Sequence, residues 1–348
     1  AGSRTAEVEG ISAAGATADS RRYTAVADAE FLLNGPLGSK RWPLPPLPAG
    51  VSPALISYVA RSLMCVTPLV LAAGLHEMPA FPHLRLEAAS LGPASCLSTG
   101  KAMSFERVKS LWNKGFAMGL KLRKPLLIAE CVPGGTTTAQ AVLTGMGLSV
   151  ADLISGSVLN PPKAIKKDLV DNGLRAANLG ERPSPKRLLS AVGDPFQCVA
   201  AGLLLGAREA RQQVLLGGGC QMLAVVALAL SELESYLRPQ FVQGVVLGTT
   251  AWLTEEGTPN GQRESSSLIR LVEIVGDYFD VALLGMSTGL RFNRSRYKAL
   301  RDYEKGYIKE GVGAGAFALL AQLQGFSCKA LVEDCEKSLV ELQGRPIP

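Results

Sequence analysis

Three short apolar runs, alternating with glycine turns and candidate helices, constrain the fold more than any other feature of this sequence. The runs of strand length are Leu126–Ala129, Gln213–Leu216 and Val242–Leu247. The candidate helices are Ala139–Met146, Cys198–Ala210 and Met222–Tyr236. This alternation predicts an α/β fold with a doubly wound, mostly parallel sheet flanked by helices. Ligands of such sheets bind beyond the carboxyl ends of the strands, where the glycine turns lie.

The composition is typical of a globular protein and argues against several classes of partner. Of the 348 residues, 47% are apolar and 19% charged, and the net charge is +6. The basic residues are scattered over helical spacings and have acidic neighbours, which fits small anions such as phosphates better than nucleic acid. Three groups hold much of this charge: Lys101–Lys124, the cluster Lys163, Lys166 and Lys167, and Arg291–Lys309. The longest apolar run, Met222–Leu230, is too short for a bilayer, so no membrane association is expected.

Cysteine and histidine usage narrows the chemistry further. The seven cysteines form no Cys-x-x-Cys pair and are expected to be reduced thiols in the cytoplasm. Neither His76 nor His83, the two histidines, has a cysteine at ligand spacing, so we predict no metal site, and we predict no cofactor. With so few histidines, acid–base work is expected to fall to Asp, Glu, Lys or Tyr.

Glu130–Thr138, with the sequence Glu-Cys-Val-Pro-Gly-Gly-Thr-Thr-Thr, follows a predicted strand and opens a predicted helix. Consecutive glycines let backbone N–H groups approach a phosphate, and a helix N-terminus favours anions. Gly134, Gly135, Thr136 and Thr137 are therefore candidate phosphate ligands, and Glu130 would face the same crevice. A tight turn with a threonine cap explains the same residues equally well.

Two further glycine-rich segments are candidates. Gly217, Gly218 and Gly219 follow the next strand, where close approach to a ligand competes with ordinary strand-to-helix packing. Glu310 stands before the flexible stretch Gly311–Ala316. It could be a favourable partner of a helix dipole or a catalytic carboxylate whose pKa is raised by desolvation. From the residues alone, both alternatives stay open.

Several segments together carry a family resemblance. They are Glu130–Thr138, Ala191–Phe196, Lys309–Gly315, Ile11–Ala16 and Thr24–Glu30. These segments follow one another along the chain as in the family, and over nearly its whole length the sequence resembles the nicotinate-nucleotide–dimethylbenzimidazole phosphoribosyltransferases of cobalamin lower-ligand assembly, particularly their archaeal and cyanobacterial branch. The combination of motifs is specific, although no single motif is.

The resemblance implies a domain organisation and an assembly. A Rossmann-like large domain is expected over residues 50–290, with the proline- and glycine-rich stretch 36–53 as a connection before it. A small, mainly helical domain is expected from residues 1–49 and 291–348, and it contributes the Glu310 loop. A homodimer is expected as well.

The resemblance also implies a reaction and roles for residues. A benzimidazole-type base attacks C1′ of nicotinate mononucleotide, which releases nicotinate and leaves an α-ribazole phosphate. Glu310 matches the general base and Glu130 a second active-site glutamate. The candidates for holding the phosphate or nucleotide are Gly134, Gly135, Thr136, Thr137, Gly193, Gly217, Gly218, Gly219, Gly311, Gly313 and Lys166, with Lys163 as an alternative lysine.

Elementary chemistry agrees with this reaction but does not identify the acceptor. Nicotinate leaves from a pyridinium, so the main needs are to remove the base's N–H proton and to stabilise positive charge at C1′. The chain departs from the better-studied bacterial enzymes at two places. Those enzymes have Gly-Asn-Thr-Thr where this chain has Gly134–Thr137, and Gly-Gly-Phe-Glu where this chain has Gly193–Phe196. The acceptor could therefore be a benzimidazole or a purine. The alternatives are another nucleotide or phosphosugar enzyme, and a non-catalytic relative that binds a nucleotide.

Overall fold

A four-stranded parallel sheet forms the centre of the computed structural model, which describes residues 1–156, 158–256 and 266–344. A separate parallel pair, β1 (Leu71–Ala72) and β2 (Leu84–Arg85), precedes it in the chain. The central strands lie side by side in chain order: β3 (Leu126–Ala129), β4 (Val214–Gly217), β5 (Val245–Thr250) and β6 (Leu284–Thr288). Ala129 pairs with Gly217 and Gly217 with Gly248, so the turns after β3, β4 and β5 come to one edge of the sheet.

Fourteen α-helices are found within the described residues. They are α1 (Ala18–Asn34), α2 (Ala54–Leu63), α3 (Phe105–Leu120), α4 (Gly135–Gly145), α5 (Lys163–Ala177), α6 (Pro185–Val192), α7 (Pro195–Glu209), α8 (Cys220–Ser231), α9 (Arg238–Gln243), α10 (Ala251–Thr254), α11 (Ser267–Phe279), α12 (Lys298–Glu304), α13 (Ala314–Leu323) and α14 (Cys328–Leu342). Within this part of the chain no helix has the length and apolar character needed to cross a membrane.

The sheet separates two hydrophobic cores. The alternating side chains of β4 and β5, such as Leu216 and Leu247, pack with α3, α4, α7, α8 and α11 in the larger core. On the other face α13 packs against β4, β5 and β6. This second core also holds residues of α1, α2, α12 and α14, so both chain ends meet there. The division into two domains with a boundary at residue 50 stays a prediction.

The predicted α/β class with a parallel sheet flanked by helices is confirmed. The predicted double winding is wrong: the strands lie in chain order, the connecting helices α4, α7, α8 and α11 pack in one core, and α13 with both chain ends covers the other face. Strand β3 has the predicted bounds, whereas β5 begins three residues later than predicted because residues 242 and 243 close helix α9. Strand β6 was not predicted. It lies at the edge of the sheet with Leu284, Gly285 and Met286 exposed, although the chain from Val281 to Met286 is as apolar as the runs that were predicted as strands.

Candidate functional site

A cavity of about 350 Å³ lies beyond the carboxyl ends of the strands, and it collects most of the residues predicted for the site. Its size is that of an ordinary small-molecule pocket. The predicted residues that line it are Glu130, Gly134, Gly135, Thr136, Lys166, Glu310 and Gly311. These residues come from three separate parts of the chain, so the structure brings together what the sequence offers only as separate motifs.

Glu310 is held by four hydrogen-bond donors. Its Oε2 accepts from the backbone N of Thr250 at 2.9 Å and from Oγ1 of Thr249 at 3.1 Å. Its Oε1 accepts from the backbone N of Gly311 at 3.0 Å and of Gly315 at 3.2 Å. Burial nevertheless raises the pKa of Glu310 to about 7, although all four donors favour the charged form. A carboxyl that titrates near neutrality is suited to accept a proton.

The loop that carries Glu310 has an unusual backbone. Ile308, Lys309 and Val312 have φ angles of 67°, 58° and 53°, in the left-handed region that side chains other than glycine rarely adopt. Such a conformation costs on the order of 1 kcal/mol or more per residue and persists where neighbouring contacts enforce it. One enforcing contact is the buried amine of Lys309, which donates to Oε1 of Glu256 at 2.7 Å. The loop is therefore held in one strained shape around Glu310.

Glu130 directly follows strand β3 and reaches the same cavity. The side-chain amide of Gln221, oriented with its nitrogen toward the carboxylate, donates to the two oxygens of Glu130 at 2.5 and 3.1 Å. Gly135 permits this contact, because a Cβ at that position would lie 2.2 Å from the other atom of the amide, its oxygen in this orientation. Burial raises the pKa of Glu130 to about 8, and the nearby carboxyl of Glu310 acts in the same direction.

The start of helix α4 and the amine of Lys166 form the anion-binding side of the cavity. Gly134 has a φ of 76° and precedes the helix without a capping side chain. The N–H of Gly135 donates to the carbonyl of Val132 and that of Thr137 to the carbonyl of Gly134, so the N–H of Thr136 is the group of this first turn that can reach a ligand. The Nζ of Lys166 donates to Oγ1 of Thr136 and to the carbonyl of Ser155, both at 2.9 Å. An ammonium has three donors, and the third can reach an anion in the cavity. Burial lowers the pKa of Lys166 to about 8.

A smaller cavity of about 60 Å³ adjoins the first, and two more of the predicted residues line it. Gly218 and Gly219 line it, together with Glu130 and Glu310, which line both cavities. Gly218 has a φ of 155°, a conformation open mainly to glycine. The turn after β4 therefore lies beside the two carboxylates.

Four predicted residues lie outside both cavities. Thr137 is fully buried in helix α4, and Gly193 ends helix α6. Gly217 and Gly313 pack against each other, since a Cβ on Gly217 would lie 2.8 Å from the Cα of Gly313. The alternative lysine, Lys163, is exposed and donates to the carbonyl of Asp152. In this structure these glycines permit close packing behind the site.

Sequence reasoning missed several residues that shape the site. Gln221, Thr249 and Thr250 hold the two glutamates, and their polar side chains carry no motif of their own. Asp194, next to the predicted Gly193, accepts from Oγ1 of Thr138 at 2.5 Å and so ties α4 to α7. Asp28 also lines the large cavity. Asp28 belongs to Thr24–Glu30, a segment that carries the family resemblance but was not predicted to contribute to the site.

Comparison with known families agrees with the geometry. Residues 56–244, more than half of the chain, match the sequence model DBI_PRT, described as a phosphoribosyltransferase family. The chain belongs to this phosphoribosyltransferase family.

Among its relatives, a UPF0284 protein of Prochlorococcus marinus (strain MIT 9313) is 62% identical over 344 residues, which cover 99% of this chain and 85% of the relative. A UPF0284 protein of Parasynechococcus marenigrum (strain WH8102) is 58% identical, and the match covers 98% of this chain and 86% of the relative.

Two solved structures share the fold. CobT from Thermus thermophilus superposes with a TM-score of 0.50 at 17% identity, covering 85% of this chain and 80% of that one. The nicotinate-nucleotide–dimethylbenzimidazole phosphoribosyltransferase of the same organism gives 0.51 at 18% identity, covering 84% and 75%. At this sequence identity the likeness shows a shared fold and does not assign roles to single residues.

Proposed function

We propose that this protein transfers the 5-phosphoribosyl group of nicotinate mononucleotide to a benzimidazole or purine base, giving nicotinate and an α-ribazole-type phosphate for cobamide lower-ligand assembly. The observation that supports the proposal most directly is that two half-buried carboxyls with raised pKa values, Glu130 and Glu310, share one cavity with a helix N-terminus and a buried lysine. This set provides an acid–base group, a partner for positive charge and a phosphate site.

The donor substrate fits the anion-binding side of the cavity. The 5′-phosphate would lie at the start of helix α4, where the N–H of Thr136 supplies a donor, Gly134 and Gly135 leave room for close approach, and Lys166 supplies a positive charge. The ribose C1′ would then lie between the phosphate site and the two glutamates. The pyridinium charge of the bound nucleotide lowers the pKa of a neighbouring carboxyl, so substrate binding favours the ionised form of Glu130.

Glu310 acts as the general base in this proposal. A ring nitrogen of the acceptor attacks C1′ and forms the new glycosidic bond, while the bond from C1′ to nicotinate breaks. The electron pair of that bond neutralises the pyridinium, and the N–H proton of the acceptor passes to Glu310. The hydroxyl of Thr249 can rotate away from Oε2 and is the donor most easily replaced by the acceptor's N–H. Glu130 stabilises the positive charge that develops on the ribose.

The test is to incubate the purified full chain with nicotinate mononucleotide and a panel of bases, including 5,6-dimethylbenzimidazole and adenine, and to measure nicotinate. We expect base-dependent release, with a loss of about 10³-fold in Glu310→Gln, since a positioned general base contributes about 10² to 10⁴. Glu273→Gln, at an exposed position on helix α11 outside the cavity, is the matched control and should keep full activity. Nucleotide binding without turnover for every base would refute the proposal and identify a non-catalytic binding protein.

The homodimer and the cytoplasmic location belong to the same proposal. Sedimentation of the purified chain tests the first, and a monomer that keeps full activity would show that each site is complete in one subunit.

A further inference from the structure

One end of the large cavity has a composition that the proposed phosphoribosyl transfer leaves unexplained. Its walls are the segment Gly10–Ala16, helix α1 and the proline-rich connection before α2. The apolar side chains Pro45, Leu47, Pro48 and Pro53 line these walls, beside the polar Ser52 and Asp28. We call this end the N-terminal chamber.

The walls of the N-terminal chamber are held in place by buried hydrogen bonds. The guanidinium of Arg21, which is 5% exposed, donates through Nη1 to the carbonyl of Gly15 at 3.1 Å and through Nη2 to that of Val8 at 3.2 Å. Oγ1 of Thr24 donates to the carbonyl of Ala14 at 2.6 Å. These bonds fix the backbone of the Gly10–Ala16 segment, so the chamber has a definite shape before a ligand enters.

Asp28 places a single buried carboxyl in this apolar chamber. The residue is 5% exposed, and it accepts from Oγ of Ser52 at 2.6 Å and from Sγ of Cys131 at 3.1 Å. Neither partner is a cation. An ionised carboxyl offers about four acceptor positions and these two bonds use half of them. The remaining capacity, together with the position of Asp28 on the cavity wall, suits a hydrogen-bond donor on the ligand.

The chamber adjoins the reaction centre through Cys131, whose thiol bonds to Asp28 and whose backbone follows Glu130. A flat aromatic base that reacts beside Glu310 can therefore extend toward Asp28 between proline rings. A base edge with methyl groups only would leave the remaining acceptor positions of this carboxyl desolvated and unpaired, which is unfavourable. An amino group beside a ring nitrogen can donate to one carboxyl oxygen, and the ring nitrogen can accept from the other oxygen when that oxygen is protonated.

We propose that Asp28 determines the specificity for the acceptor, and that it selects an aromatic base with an exocyclic amino group next to a ring nitrogen. This inference rests on the proposed function of the cavity and adds the class of its acceptor. Asp28 does not touch the reacting atoms, so its effect appears in the choice between bases rather than in the chemistry itself.

The experiment compares adenine with purine, which differ only by the exocyclic amino group. The full chain and its Asp28→Leu and Asp28→Asn variants are assayed for nicotinate release, and binding of both bases is measured by calorimetry in the presence of inorganic phosphate. In the unmodified protein we expect kcat/KM for adenine to exceed that for purine by about 100-fold, a typical ratio for a site built to bond a polar group. Asp28→Leu should bring the ratio to about 1, and Asp28→Asn should retain part of the preference.

The outcomes separate this inference from the proposed function. Equal losses for both bases in Asp28→Leu, with an unchanged ratio, would show a structural role and overturn the inference. A ratio near 1 in the unmodified protein, or the absence of binding by either base, would overturn it too. If no base supports nicotinate release but adenine binding depends on Asp28, the proposed reaction fails and the specificity of the chamber stands. Should Asp28→Leu not fold, the Asp28→Asn ratio and a Ser52→Ala variant, which frees one carboxyl oxygen, provide the comparison.

Discussion

The two glutamates of the cavity are positioned in different ways. Glu130 follows a regular strand, and the amide of Gln221 bonds both of its oxygens. Glu310 lies in a loop with three left-handed non-glycine residues, and four donors from β5, the loop itself and the start of α13 bond its carboxyl. Both are half-buried, and desolvation raises the pKa of Glu130 to about 8 and that of Glu310 to about 7. The four donors around Glu310 favour its charged form and offset part of the cost of desolvating it.

The largest expected difference between the two glutamates is in their contribution to catalysis. We expect Glu310→Gln to lower kcat/KM for nicotinate release by about 10³-fold and Glu130→Gln by about 30-fold, because the first removes the general base and the second one source of charge stabilisation. Steady-state kinetics with adenine and 5,6-dimethylbenzimidazole measure both. Equal losses in the two variants would mean that the two carboxyls act as a single unit.

The strained loop should depend on its buried ion pair. Lys309→Met leaves Glu256 without its cation, and breaking a buried pair typically lowers the free energy of unfolding by about 3 kcal/mol. Denaturant unfolding measures this loss. The double variant Lys309→Met with Glu256→Gln is the control and should recover most of it. No loss in the single variant would show that other contacts enforce the loop conformation.

The raised pKa of Glu130 predicts a dependence of stability on pH. The folded pKa of about 8 lies above the ordinary value of 4.5, so the folded state holds the proton more tightly and stability falls as pH rises from about 4.5 to about 8. Glu130→Gln lacks this group and should gain stability relative to the unmodified protein on the order of 2 kcal/mol between pH 5 and pH 7.5. Thermal unfolding at several pH values checks the sign, and a difference that does not grow with pH contradicts the burial argument.

The smallest expected effect concerns a single donor of Glu310. Thr249→Val removes the hydroxyl bond to Oε2, which favours the charged form, so the pKa of Glu310 should rise further. A hydrogen bond to a charged group is worth about 1.5 kcal/mol, so we expect the acidic limb of the kcat/KM profile to move upward by about one pH unit. Thr254→Val is the matched control, because its hydroxyl bonds the carbonyl of Ala251 and not Glu310. An unmoved limb would show that Glu310 does not control it.

Much of the sheet could be predicted from local pattern. Strand β3 has the bounds of its apolar run, and helices follow the glycine turns after β3 and β4 as predicted, although α4 begins at Gly135 and α8 at Cys220, before the predicted Ala139 and Met222. The connection over residues 36–53 carries proline and glycine signals but no sign that Pro45, Pro48 and Pro53 line a cavity. Which surface a coil segment covers depends on contacts distant in sequence, and local propensity does not encode them.

The glycine-rich turns and the two glutamates could be recognised in the sequence, because the residue type alone gives glycine its backbone freedom and glutamate its acid–base chemistry. The sequence by itself therefore determined the α/β class, the candidate loops and the scarcity of histidine. Only the tertiary structure decided that Glu130 and Glu310 share one cavity, since they are far apart in the chain. Folding likewise set their burial and donors, which control their pKa values, and brought Asp28 from helix α1 to the N-terminal chamber of the same cavity.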